Sequence, residues 1–101
     1  MQEFKSLIQR NIRECFHPMC LAPSTDCHHI FGGANRDLST QYHLMIGLCR
    51  HHHLDTQDGI HFNKAFRHMV QDEAQTAFEK AYTNLDFVSI FGRNYKGENN
   101  E

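Results

Sequence analysis

The sequence predicts a small α+β domain in which a two-stranded antiparallel hairpin is flanked by helices on both sides. Two short apolar runs, residues 26–30 and 42–49, predict the strands, and Gly32 and Gly33 mark the break between them. Residues 62–82 place apolar side chains at a helical period and predict the longest helix. A chain of 101 residues has room for one domain with a modest core, so we expect bound metal to stabilise it.

The remaining elements are shorter. Residues 2–14 predict an amphipathic N-terminal helix, because apolar side chains recur three and four positions apart, at Phe4, Leu7, Ile8 and Ile12. The polar residues 34–41 predict a wide loop between the strands. Residues 85–91 predict a short C-terminal helix that Gly92 would cap, and residues 96–101 predict a flexible tail.

Histidine is concentrated in one part of the chain. Seven of the nine histidines fall within residues 27–63, a density that chance clustering explains poorly. Imidazole titrates near neutral pH and is the commonest side-chain ligand of zinc and similar ions. The segment therefore predicts metal coordination, proton transfer, or both.

Two pairs of residues have the spacing of a zinc knuckle. Four residues, including a proline, separate Cys15 from Cys20, and Cys49 with His52 forms a Cys-x2-His pair where a strand meets a helix. Together these four would close a tetrahedral, structural zinc site. The alternative is a metal-free core of buried thiols. Disulfides are not expected, because the chain begins without an apolar signal segment and we expect a reducing, cytoplasmic setting.

A second group consists of His28, His29, His53 and His61. Neighbouring residues of a strand point to opposite faces, so one of His28 and His29 can hold a metal while the other acts elsewhere. A divalent ion stabilises charge on a phosphate, and a neutral imidazole beside it can take a proton from water.

These residues resemble the HNH endonucleases, the zinc-knuckled ββα-metal nucleases, and in particular a small phage and prophage group. The resemblance to the HNH family covers residues 15–63 and is carried by Cys15 and Cys20, Asp26-Cys27-His28-His29-Ile30, Gly32-Gly33, and Leu48-Cys49-Arg50-His51-His52-His53. The resemblance to the phage group is carried by residues 28–36, by Gly59-Ile60-His61-Phe62-Asn63 and by Phe91-Gly92-Arg93-Asn94-Tyr95. The resemblance implies one domain over residues 1–95, with a ββα-metal core at about residues 15–66 and C-terminal helices at about residues 62–92.

The resemblance also implies roles for single residues. His28, His53 and His61 would hold the catalytic ion, which could be Mg²⁺, Mn²⁺, Ni²⁺ or Zn²⁺, and His29 would be the general base. The family's middle Asn is missing before Leu48, and His43 would substitute for it. His53 and His61 are eight residues apart where many members have four, so the intervening linker must loop out and Asn63 competes as a ligand.

The function these residues predict is a metal-dependent DNA endonuclease or nickase of low sequence specificity, acting on duplex or single-stranded DNA in a bacterial or phage-infected cell. A formal net charge of −2 argues against a protein that coats DNA through charge alone, and no run is apolar enough to span a membrane. One alternative is a non-catalytic zinc-ribbon module that binds nucleic acid or protein. Another is a phage inhibitor built on the same fold, and a protein partner in recombination or phage-host conflict remains open.

Overall fold

The hairpin predicted from the sequence is the centre of the domain. In the computed structural model, which describes residues 2–97, strand β1 (Asp26–His29) pairs antiparallel with β2 (Met45–Leu48). The register sets Asp26 opposite Leu48 and His29 opposite Met45. Four α-helices accompany the sheet within the described residues, namely α1 (Arg36–Gln41), α2 (Arg50–Leu54), α3 (Lys64–Ala81) and α4 (Phe87–Phe91). The predicted α+β class is confirmed.

The predicted N-terminal helix is wrong, because residues 2–14 form irregular structure that lies against the hairpin. The Leu7 N–H donates to the carbonyl of His43 (2.9 Å), and the Gln9 side chain accepts from the Gly47 N–H (2.6 Å). A Cβ on residue 47 would come within 2.5 Å of the Ile12 carbonyl oxygen, so only glycine allows this close approach. A short helix is only marginally stable by itself, so these contacts with the hairpin outweigh helix formation in this segment.

The predicted loop at residues 34–41 is also wrong. A 3-10 turn (Gly33–Asn35) leads directly into α1, whose buried Ser39 fastens it to the end of β1. The Ser39 hydroxyl accepts from the Phe31 N–H (3.0 Å) and donates to the Phe31 carbonyl (2.7 Å). Ser39 therefore anchors α1 to the end of β1. Residues 34–41 contain too few apolar side chains to show a helical period in the sequence.

Helix α3 supplies the largest apolar face, as its periodicity predicted. Its buried apolar side chains are Phe66, Val70, Ala74 and Phe78. The helix begins after Asn63, whose side chain accepts from the Phe66 N–H (3.0 Å) and caps the first turn. Within residues 2–97, no helix is both long and apolar enough to cross a lipid bilayer.

Aromatic rings join the C-terminal helices to the end of the hairpin. Phe31 contacts the rings of Phe87 and Phe91 with centroids 5.3 and 5.2 Å away, and Phe78 contacts the same two rings. Helix α4 ends as predicted at Gly92, which adopts a left-handed φ of 92°.

The segment after α4 is fastened to α3 by a buried glutamine. Gln75 accepts from the Tyr95 N–H (2.7 Å) and donates to Asn94 (2.9 Å). In the part of the predicted tail that the structure describes, Lys96 pairs with Glu79 at 2.6 Å and the Gly97 N–H donates to Asp72. Residues 98–101 lie outside the described residues.

Candidate metal centres

Four sulfur and nitrogen ligands converge beside the hairpin. Cys15 and Cys20 lie in a tight reversal before β1, where the Cys15 N–H donates to Ala22 (3.0 Å) and the Cys20 N–H donates to His17 (3.1 Å). Cys49 is the residue that caps α2, and His52 lies in its first turn. Ligand atoms of all four lie within 4.8 Å of one another, and all four cysteines of the chain are free thiols. The cluster could hold a metal ion such as zinc.

The distances in this cluster fit a tetrahedral ion. Zn–S and Zn–N bonds of about 2.3 and 2.05 Å at tetrahedral angles separate sulfur from nitrogen by about 3.5 Å. The His52 Nδ1 atom lies 3.6 Å from the Cys15 sulfur and 3.3 Å from the Cys49 sulfur. The side chains are therefore already spaced as zinc ligands.

The two buried thiols of the cluster differ in acidity. Burial raises the pKa of Cys15 to about 11. Burial also opposes ionisation of Cys49, but the His52 N–H and the neighbouring thiols outweigh it, and the pKa of Cys49 is lowered. Since metals bind thiolates, Cys49 is the thiol best prepared to receive an ion, and binding must release the proton of Cys15.

Three imidazoles form a second cluster next to the first. His28 is buried on β1, His53 follows His52 on α2, and His61 lies in the turn before α3. The linker between the last two does not loop out freely. A Cβ on Gly59 would lie 2.6 Å from the Asp55 carbonyl oxygen, and this tight turn returns the chain so that Ile60 bonds to His52 (2.8 Å). Residues eight apart in sequence thereby meet.

The ring nitrogens of this cluster point at one another. The Nε2 atoms of His53 and His61 lie 3.3 Å apart, which is about the separation of two nitrogens bound to one tetrahedral zinc ion. The ring of His28 lies 5.3 Å from that of His53 and 5.0 Å from that of His61, centroid to centroid. Three imidazoles and no carboxylate make a donor set suited to zinc, nickel or cobalt rather than to magnesium.

Asp26 fixes the orientation of His53. Its carboxylate lies 2.8 Å from the His53 Nδ1 atom and also accepts from the Arg50 guanidinium at 3.0 Å. Burial of Asp26 favours its neutral form, yet the bonds from Arg50 and His53 outweigh burial and lower its pKa to about 2. A carboxylate that accepts the Nδ1 proton leaves the Nε2 lone pair of His53 facing the cluster, as in metal sites with an outer carboxylate.

His28 is held in its neutral form. Burial, followed by the nearby His61, His53 and His29, lowers its pKa to about 3. Neutral imidazole is the form that binds metal, so this ligand is ready over the whole physiological pH range.

His29 lies beside the second cluster without being part of it. Its Nε2 atom is 3.0 Å from the Thr40 hydroxyl on α1. Burial and the charge of Arg36 lower the pKa of His29. A groove of about 310 Å³ brings its side chain together with the three imidazoles, and is lined by Cys27, His28, His29, Gly32, Gly33, Arg36, His53 and His61.

Two residues proposed from the sequence take other positions. His43 lines a different cavity together with residues of the N-terminal segment, and among the described residues it is Thr40 that contacts the His29 ring. Asn63, considered as a competing ligand, is instead engaged as the cap of α3. His43 belongs to none of the groups of His, Cys, Asp and Glu that could hold a metal within the described residues.

Asp26 and Thr40 are residues to which sequence reasoning assigned no role in the site. Asp26 carried only a partial signal: it lies two positions before His28 on the same strand, but its partner is His53, 27 positions away. Thr40 carried none, because it lies in a segment predicted to be loop.

A third group, His51 with Asp55 and Asp58, is exposed and has a structural explanation. The Asp55 carboxylate accepts from the N–H groups of Gln57 and Asp58 at 3.0 and 2.9 Å, which orders the turn before His61.

No protein-family model, curated protein or solved structure matches this chain.

Proposed function

We propose that the protein is a metal-dependent DNA endonuclease or nickase of the HNH type, with a structural zinc ion at the Cys15, Cys20, Cys49 and His52 cluster. One observation carries the proposal. Three imidazoles with their ring nitrogens directed at one point share a single open groove with His29, a fourth imidazole that is not one of them. A site that only binds a metal ion would not require His29.

The roles follow from the surroundings of each side chain. A divalent ion held by His28, His53 and His61 would supply Lewis-acid stabilisation of charge on a phosphate. His29 is the general base, because it is neutral near pH 7, half-exposed in the groove and held by Thr40. Asp26 positions His53, and Arg50 keeps Asp26 ionised.

Charge in the groove favours a phosphodiester. Arg36 lines the groove, and no carboxylate among residues 2–97 does so. Asp37 acts on His29 only through its charge, and Asp26 behind the groove is occupied by Arg50 and His53. A local positive field can attract DNA even though the whole chain has a net charge of −2. Few base-edge contacts are available to so small a groove, which accounts for low sequence specificity.

The test is nicking of supercoiled plasmid by protein supplied with zinc, nickel, manganese or magnesium, with and without chelator. His29→Ala should lower the rate by about 10²- to 10⁴-fold while leaving metal affinity and DNA affinity nearly unchanged, because it removes a base and no ligand. His28→Ala and His53→Ala should weaken metal binding and nicking together. His68→Ala, a histidine of α3 outside both clusters, is the matched control and should behave as wild type.

The alternative is a zinc-stabilised binding module without catalysis. It explains the cysteine cluster equally well but gives no role to the three imidazoles and His29. If wild type cuts neither single-stranded nor duplex DNA with any of these ions, or if His29→Ala cuts as fast as wild type, the binding module replaces the nuclease.

A further inference from the structure

A second cavity opens on the other side of His29. It has a volume of about 440 Å³, within the usual range for small-molecule sites, and its lining is mostly apolar. It shares Cys27 and His29 with the groove that contains the three imidazoles. The two are therefore neighbouring compartments with His29 between them, and the second is lined by Gln2, Glu3, Phe4, Cys27, His29, Thr40 and Met45.

Phe4 contributes an aromatic ring to the wall of this cavity. The sequence pattern assigned it to the buried face of an N-terminal helix, but that helix is not formed and Phe4 is half-buried at the cavity. Its ring has no aromatic neighbour and no place in the main core within residues 2–97, whereas the rings of Phe31, Phe78, Phe87 and Phe91 pack together. A phenyl face at a cavity wall is a stacking surface for a flat ring.

The charged residue near the cavity that is available to bind an anion is Arg36, on the side of the adjoining groove. Glu3 forms an exposed ion pair with Arg13. Arg36 lines the adjoining groove and forms no ion pair within the described residues. Its charge opposes the burial that raises the pKa of Cys27, and adds to the burial that lowers the pKa of His29. An occupant with a flat apolar ring at one end and a phosphate at the other matches both compartments.

We propose that this cavity binds an unpaired nucleobase of the DNA substrate, stacked on Phe4, with the adjoining phosphate directed to Arg36 in the neighbouring groove. The inference rests on the proposed nuclease function and narrows its substrate. A base within a duplex is stacked and paired and must leave the helix to enter, so single-stranded, flapped or gapped DNA is preferred over intact duplex.

The test uses a short oligonucleotide with 2-aminopurine, a base whose fluorescence falls on stacking, presented single-stranded or annealed to its complement. Metal-loaded protein is mixed with it and read in the first seconds, before cleavage proceeds. Phe4→Ala and Phe4→Leu should lose the quenching and bind single strands about 5- to 100-fold more weakly, which is the contribution of one stacked base. Phe4→Tyr keeps the ring and should match wild type within about twofold, as should Val88→Ala, an exposed apolar residue of α4.

Binding to the duplex should be weak and equal for all variants. Unchanged affinity and quenching in Phe4→Ala, equal loss in Phe4→Tyr, absence of single-strand binding by wild type, or equal quenching by the duplex would each overturn the subsite. Stacking without cleavage would retain the subsite and refute the nuclease. Cleavage with no effect of Phe4 would retain the nuclease and refute the subsite.

Discussion

The buried His28 should make the stability of the domain fall as the solution becomes acidic. Its folded-state pKa is about 3, whereas an unfolded histidine titrates near 6.5. Below pH 6.5 the unfolded chain gains a proton that the folded chain does not, so acid favours unfolding. Integrating between pH 7 and pH 5 gives a loss of about 2 kcal/mol from this residue, and the full difference of about 3.5 units would give about 5 kcal/mol at lower pH.

The measurement is urea unfolding at pH 7 and pH 5, on wild type and on His28→Gln, which keeps a polar side chain and does not titrate. Acid-sensitive groups that His28 does not contact, including the ligands of the cysteine-containing cluster, are common to both proteins and cancel in the comparison. The free energy of unfolding of wild type should fall by about 2 kcal/mol more than that of the variant. An equal fall in the two proteins would mean that His28 is protonated in the folded state, and would refute its burial as a neutral ligand.

Two other predictions concern the metals. Cys49→Ser should abolish zinc binding and unfold much of the domain, because structural zinc contributes on the order of 10 kcal/mol in small domains. Elemental analysis measures the zinc content, and thermal unfolding measures the stability. Folded wild type without zinc would contradict this prediction. Asp26→Asn should weaken ion binding at the three imidazoles by about 10- to 100-fold, since His53 loses its orienting carboxylate. Calorimetric titration measures that affinity, zinc content at the cysteines should stay the same, and an unchanged affinity would exclude the role given to Asp26.

The sequence predicted the residues whose signal is local. Cys49 and His52 are three positions apart, and any helix beginning there brings them together. The same holds for α3, where eighteen residues provide enough apolar positions to show a period. The cluster of Cys15, Cys20, Cys49 and His52 followed from residue type and spacing, whereas the set of His28, His53 and His61 came from the family resemblance.

The errors arose where distant contacts decide the conformation. Residues 2–14 have a helical pattern, but the Leu7 N–H bonds to His43 and the Gln9 side chain bonds to Gly47, each more than thirty residues away. Helix α1 is anchored to β1 by the Ser39 hydroxyl, together with other contacts, and no periodicity reveals that bond. The contact between Asp26 and His53 spans 27 positions and depends on how the hairpin and α2 meet.

The position of helix α2 predicts the order in which two metal ions would bind. Helix α2 has only five residues, yet it contributes His52 to the cysteine-containing cluster and the adjacent His53 to the cluster of three imidazoles. So short a helix does not persist without outside support. Zinc at the cysteines would provide that support and present His53 to its partners, so the ion at the imidazoles would be acquired second. Graded chelation should then remove the second ion first, whereas loss of the zinc should empty both sites at once.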